Sequence, residues 1–442
     1  MRRGATMVFR SRSSPAVSSA PAEMAVMPAT SAEADLTLEV VPELAPRDEA
    51  VFLLHTAAEI EHALMVQYLY AAWSLPDGPV GVRRWRRRIV QIAREEMAHL
   101  IDVQNLLRFV GGPLNFDRED FPFRSGFYPF PFRLERLRRG SLARYVVAEM
   151  PARSGVDPGL IAEAVRLATG APNGGPVNRV GALYNRLSEL IGDEGRLPDH
   201  DFRPDTADLL QARPSRFRAD VGRGPLYLRT VRSRADALSL LADVADQGEG
   251  EGSVADSHFL AFVDIFDDWP VDEDDEPSLE VPTQPTVGPA AGADDEGRID
   301  HPHARDWAVV FNHHYRMLLA WLQHGLLTGA SSTADGLALR AFDEMFVLAD
   351  VGPFLTTLPR TADGAGRAGA PFELPYTLAL PDLARDRWAH HEDLIATARS
   401  QLAALGPSSS SAEDDVRLRI TASLAAAEAF VTAQRDEAGR RS

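Results

Sequence analysis

Arg94-Glu95-Glu96-Met97-Ala98-His99-Leu100 sets a carboxylate and an imidazole three residues apart inside a strongly helical pattern. That pattern is the stripe Trp85, Ile89, Ile92, Glu96, His99, Val103, Leu106 and Val110, which turns Glu96 and His99 toward a core rather than water. Polar groups in such a place are costly unless something holds them. The preceding helix, predicted over about residues 49–75, carries the stripe Leu54, Ala58, Glu61, Met65, Tyr68, Ala72 and Leu75 and is stopped by Pro76. Glu61 lies on that stripe, whereas Glu59 and His62 fall on other faces of the same helix, and Glu96 is preferred over Glu95 on the same ground. Gly111-Gly112-Pro113 ends the second helix, so the two form a helical hairpin.

A Glu on one helix and a Glu-x-x-His on its neighbour is how carboxylate-bridged di-iron bundles supply half of their ligands. The second half calls for another Glu and another Glu-x-x-His. His258 sits on a stripe with Val254, Phe262 and Ile265, but Ala255 occupies the place three residues before it. Glu249, with Glu251 as its rival, could approach through the glycine-flanked turn Gln247-Gly248-Glu249-Gly250-Glu251-Gly252. Glu149 and Glu189 compete for the remaining carboxylate position. The expected metal ligands are therefore Glu61, Glu96, His99, Glu249 and His258, holding mononuclear or dinuclear iron, with manganese as the other hard cation suited to such a donor set.

Composition narrows the chemistry. The 442 residues contain no cysteine and no lysine, which removes disulfides, thiolate metal sites, lysine Schiff bases and lysine-containing phosphate loops. A net charge of −18 argues against nucleic acid as a partner. The basic run Arg83-Arg84-Trp85-Arg86-Arg87-Arg88 reads as a solvated helix face around Trp85. No apolar run is long enough to span a membrane, and the first 45 residues lack a convincing secretory pattern, so a cytoplasmic location is expected.

Helical periodicity dominates, which makes the fold class all-α: a four-helix bundle with long insertions and additional C-terminal helices. Residues 1–45 read as a disordered extension, 46–405 as the main domain and 406–442 as a C-terminal helical tail. The Phe- and Pro-rich stretch from Asn115 to Phe132 reads as an ordered loop covering the core, and the acidic run near 267–300 as a disordered insertion. His313-His314 and His390-His391 are adjacent pairs whose members diverge on a helix, so surface or capping roles are expected. Gly364-Ala365-Gly366-Arg367-Ala368-Gly369 matches a dinucleotide fingerprint in letters only, since no strand precedes it.

Several ordered landmarks carry a wider resemblance. Glu59-Ile60-Glu61-His62 through Tyr68-Leu69-Tyr70-Ala71-Ala72-Trp73-Ser74, Glu95-Glu96-Met97-Ala98-His99 and Gly111-Gly112-Pro113 resemble the ferritin-like domain family of iminophenyl-pyruvate dimer synthase. Ala148-Glu149-Met150-Pro151, Gly181-Ala182-Leu183-Tyr184, Ser257-His258-Phe259 and Phe342-Asp343-Glu344-Met345-Phe346 are similar to its later landmarks, and together they span roughly residues 50–375. The resemblance implies a ferritin-like bundle and membership in a group that includes a violacein-type bisindole enzyme coupling two imines derived from oxidised tryptophan. In that enzyme the ferritin-like part is one portion of a much longer chain. Ala182 departs from the pattern, because some members of the family place a carboxylate or amide there. The expected function is a metal-dependent, di-iron oxidoreductase of specialised metabolism, taking a small aromatic, amino-acid-derived substrate with dioxygen or peroxide, as a homo-oligomer. The alternative is a non-catalytic binding or assembly protein with a degraded metal site, for which Ala182 and Ala255 speak.

Overall fold

The computed structural model describes residues 6–11, 36–41, 43–118, 133–151, 154–170, 180–203, 229, 231–249, 257–288, 297–328, 331–374 and 379–441. The predicted hairpin is its centre. Helix α1 (Pro46–Trp73) opens on Pro46, where a missing N–H costs nothing, with Asp48 and Glu49 in the first turn favourable to the helix dipole. Helix α2 (Val80–Phe109) runs back along it. It ends in a Schellman turn, with Gly112 N–H donating to Leu107 O (2.7 Å) and Gly111 N–H to Arg108 O (3.0 Å). Gly111 takes a φ of +75°, as that turn demands. The stripe on α2 is buried from Ile89 to Val110. The arginine run stays outward, with Arg84 paired to Asp268 and Arg86 to Asp77, while Trp85 packs on Trp269.

Around the hairpin stand α3 (Arg139–Ala148), α4 (Pro158–Thr169), α5 (Val180–Gly192), α6 (Arg234–Glu249) and α7 (His258–Asp268). The pairs α5 with α6, α3 with α4 and α3 with α7 pack together. A second group follows: α8 (Pro302–Thr328) packs along α9 (Ser332–Leu355), and α10 (Ala384–Ala404) and α11 (Ser411–Arg441) close against them. Helix α1 touches α2, α5 and α9 and is therefore buried on nearly every face. The architecture is the expected helical one with extra C-terminal helices.

Three expectations need correction. Within the presumed disordered extension, Thr6–Ser11 (β1) and Leu36–Val41 (β2) pair antiparallel, consistent with the alternation in Leu36-Thr37-Leu38-Glu39-Val40. The acidic insertion is largely a packed strap: Leu279 N–H donates to Ser74 O (2.7 Å), Gln284 N–H to Leu134 O (2.8 Å), and Val281 and Ile299 are buried. Apolar anchors spaced among the charges hold it, while residues 289–296 lie outside the described residues. The histidines expected at the surface are instead interior for His313, His314 and His391, because α8 packs against α9 and against α10, which carries His391; His391 stacks on Trp321 at 3.6 Å. Of the Phe-rich loop, residues 119–132 lie outside the described residues, and Phe116 is buried.

The two helical groups meet where Trp73 at the end of α1 lies over Gly352 of α9. A Cβ at Gly352 would come within 2.4 Å of the indole, which is a fused ring and cannot swing aside cheaply. Gly352→Ala is expected to destabilise the protein by about 1–3 kcal/mol in chemical unfolding, against well under 1 kcal/mol for the unobstructed Gly81→Ala.

Candidate metal centre

Five buried side chains converge on the inner face of the hairpin: Glu61 from α1, Glu96 and His99 from α2, Glu149 and His258. Glu96 and His99 lie one turn apart because of their three-residue spacing. The last two come from helix ends. Glu149 is the C-cap of α3, and His258 is the first residue of α7, behind Ser257, whose hydroxyl caps Leu260 N–H (3.2 Å).

The five form two sets of donors, Glu61 with Glu96 and His99, and Glu96 with Glu149 and His258; within each set the candidate ligand atoms lie within 4.8 Å of one another. Glu96 belongs to both. Its Oε2 lies 3.2 Å from His99 Nδ1, and its Oε1 lies 2.8 Å from His258 Nδ1. His99 Nδ1 is 3.5 Å from Glu61 Oε2, and His258 Nδ1 is 3.9 Å from Glu149 Oε2.

The far side of each ring is held by a different group. His99 Nε2 donates to Gln247 Oε1 (2.7 Å), and His258 Nε2 donates to Glu95 Oε2 (3.0 Å). Such partners fix the tautomer that leaves Nδ1 to face inward as a donor of electrons. The outer carboxylates are anchored as well: Tyr68 donates to Glu149 Oε1 (2.5 Å) and Tyr184 to Glu61 Oε1. After all this, Glu61 Oε2, Glu96 Oε1 and His258 Nδ1 are buried with no well-aligned hydrogen bond and meet only the charged groups of the cluster itself, Glu96 Oε1 facing His258 Nδ1 and Glu61 Oε2 facing His99 Nδ1. Buried atoms of that kind are rarely left without a partner. Carboxylate oxygens and imidazole nitrogens turned toward one point fit a hard divalent cation.

Electrostatics agree with that fit. Burial, and then the charge of Glu96, push Glu61 up to about 7 and Glu149 up to about 8. Burial alone would favour a neutral His258, but the Glu96 carboxylate overrides it and raises the ring to about 10; His99 is raised likewise by hydrogen bonds to Glu61 and Glu96. One turn beyond His99, burial lifts Asp102 to about 7 although Arg229 N–H donates to it (3.0 Å). The cluster thus keeps protons that a cation would have to displace.

The structure brings together four of the five residues singled out from sequence, Glu61, Glu96, His99 and His258. Glu249 is the last residue of α6, and its side chain lies outside the described residues, as do Glu251 and Ala255. The neighbouring Gln247 and Gly248 do reach the cluster; a Cβ on Gly248 would stand 3.3 Å from Glu149 Oε2. Glu149 occupies the remaining carboxylate position, while its rival Glu189 is exposed beside Arg186. Ala182 is half-buried on α5, two residues from Tyr184. Neither tyrosine role was read from sequence, although Tyr68 lies two helical turns from Glu61 on the same stripe.

Beside the hairpin, a cavity of about 100 Å³ lies among Met65, Trp73, Met97, Phe342 and Phe372, with Tyr315 of α8 in its wall. Its lining is almost wholly apolar and aromatic. His62, next to Glu61 in sequence, turns away from the cluster and pairs with the Tyr315 hydroxyl; burial, then the Arg118 charge, lower it to about 3.

Comparison with known proteins places part of the chain in a described family and finds relatives at modest identity. Residues 54–267 match the family described as ferritin-like. Dichlorochromopyrrolate synthase of Lentzea aerocolonigenes is 30% identical over 412 residues, which cover 77% of this chain and 38% of that protein. The 2-imino-3-(indol-3-yl)propanoate dimerase of Chromobacterium violaceum is 28% identical over 242 residues, 47% of this chain and 21% of the relative. The chain thus spans less than two fifths of the length of these curated relatives. A ferritin-like protein of Caulobacter vibrioides shares 18% identity at a TM-score of 0.43, covering 69% of this chain and 93% of that one.

Because a cation must displace protons from Glu61 and Glu149, its binding is expected to weaken as pH falls through the range of about 8 to 7. Titration of the metal-free protein with Mn²⁺ at about pH 6 and pH 8 checks this: affinity rises with pH, and binding releases protons at both values but more at the lower, because the His258 ring, raised to about 10, is still protonated at pH 8.

Proposed function

We propose that this chain, which carries a ferritin-like domain and is related to two synthases of specialised metabolism, is a metal-dependent oxidoreductase acting on a small aromatic, amino-acid-derived compound. One observation carries the reading: the two oxygens of Glu96 each serve one histidine, and each histidine stands beside one further carboxylate. The residues that would hold a first cation are Glu61, Glu96 and His99, and those that would hold a second are Glu96, Glu149 and His258. Iron is the first choice and manganese the second. Iron held there would supply redox chemistry toward dioxygen or a peroxide.

The remaining work falls to the chain itself. Gln247 and Glu95 hold the two rings in one orientation, and Tyr68 and Tyr184 hold the outer carboxylates, so little rearrangement accompanies binding. The helices of the hairpin bury the cluster and exclude water from it. The apolar cavity that shares α1 and α2 with the cluster offers Trp73, Phe342 and Phe372 to a flat aromatic ring.

Metal analysis of protein grown with iron is expected to find about two equivalents in the parent, about one in His258→Ala and well below one in Glu96→Ala. Metal below one equivalent in the folded parent would overturn the reading and leave a ferritin-like binding or assembly protein. Filling the cavity with Ala93→Phe should leave the metal in place yet lower oxygen consumption with aromatic amino-acid derivatives by about tenfold or more.

A further inference from the structure

The chain carries nine methionines and no cysteine, so thioethers are its only sulfur and its softest nucleophiles. Three of them, Met65 of α1, Met97 of α2 and Met345 of α9, line the apolar cavity of about 100 Å³ beside the hairpin. Two further buried methionines, Met150 after α3 and Met317 of α8, do not line it.

Burial and access part company here. Met65 is 3% and Met97 8% exposed, close to the 6% of Met150, so burial alone would give all three the same reactivity. The cavity makes the difference. Val90 and Arg94 of α2 and Phe342, Met345 and Phe346 of α9 are partly exposed, which sets the mouth of the cavity along the seam between these two helices. About 10–15 Å³ of such space holds one water, so this cavity has room for hydrogen peroxide. Its wall offers a peroxide few other polar groups: apart from Arg94 and the Tyr315 phenol, which His62 and Arg118 engage, it is hydrocarbon and aromatic ring.

We propose that Met65, Met97 and Met345 form a site of oxidation by peroxides, with the cavity as the way in. At each residue the sulfur lone pair attacks one peroxide oxygen, so that an S–O bond forms and the O–O bond breaks. The thioether loses two electrons to become a sulfoxide, and the departing hydroxide takes the proton from the transferred oxygen and leaves as water. Each sulfoxide sets a polar group in an apolar wall. Met65 and Met97 belong to the hairpin and Met345 to α9, so oxidation loosens the joint of the two helical groups, where Trp73 also packs on Gly352.

The full chain, as purified and again after chelation, is treated with hydrogen peroxide, and each methionine is followed by peptide mass spectrometry. Met65 and Met97 are expected to oxidise about tenfold or more faster than Met150 and Met317 in both samples. Ala93→Phe, or Ala349→Phe from the α9 side, fills the cavity and should bring Met65 and Met97 down to the rate of Met150. The oxidised parent should unfold at lower denaturant concentration, whereas the combined variant Met65→Leu, Met97→Leu, Met345→Leu, which keeps the volume, should not shift on the same treatment. Rates for Met65 and Met97 no higher than for Met150 and Met317, unchanged rates in a folded cavity-filling variant, an advantage that chelation removes, an unfolding midpoint unmoved in the oxidised parent, or an equal shift in the combined variant would each overturn the assignment. None of these readouts needs metal, so they stand or fall apart from the metal content on which the proposed function rests.

Discussion

Everything at the centre of this molecule follows from burying Glu96. A carboxylate 2% exposed is held there because each of its oxygens meets a histidine. Taking ions out of water costs several kcal/mol apiece unless close partners offset it, so one buried carboxylate calls for a surrounding set of groups. Glu61 and Glu149 complete that set, and being themselves buried they need Tyr184 and Tyr68. The histidines need Gln247 and Glu95 behind them. In this way one residue on α2 recruits side chains from α1, α3, α5, α6 and α7, and the cluster acts as the polar joint of the ferritin-like half.

Helix α1 couples that joint to the rest of the chain. Being enclosed on nearly every side, it presents Glu61 to the cluster, His62 to Tyr315 of α8 and Trp73 to Gly352 of α9. The Tyr315 hydroxyl also accepts from Arg118, so a line of hydrogen bonds runs from the residue beside Glu61 to Arg118. Trp73 stacks on Phe372 at 5.5 Å, and both line the apolar cavity beside the hairpin. Helices α8 and α9 supply one wall of that cavity, so the C-terminal helices are packed into the hairpin rather than appended to it.

The first half of the cluster was legible because it obeys helical periodicity. Glu61, Glu96 and His99 interrupt apolar stripes, and an interrupted stripe is visible in a string of letters. His258 showed through its own stripe with Phe262 and Ile265. Glu149 was weaker: it caps α3, and a cap residue obeys no periodic rule, so pattern alone did not separate it from its rival Glu189. The acidic strap was misread for a related reason. Composition averages over a segment, whereas Leu279, Val281 and Ile299 anchor it one residue at a time. The interior histidines were misread because adjacency on one helix says nothing of how many neighbours enclose it.

The sequence by itself determined the helical hairpin, its ends, and the fact that carboxylates and imidazoles face its core, since periodicity, proline and glycine act over a few residues. Tertiary structure alone decided that Glu96 is shared between two histidines, that tyrosines anchor the outer carboxylates, and that Arg118 reaches both Tyr315 and the Phe372 carbonyl. Those relations join residues dozens to hundreds of positions apart, such as Glu96 with His258 and Arg118 with Phe372. No local rule of the backbone encodes a distance of that kind; it exists only once the helices have packed.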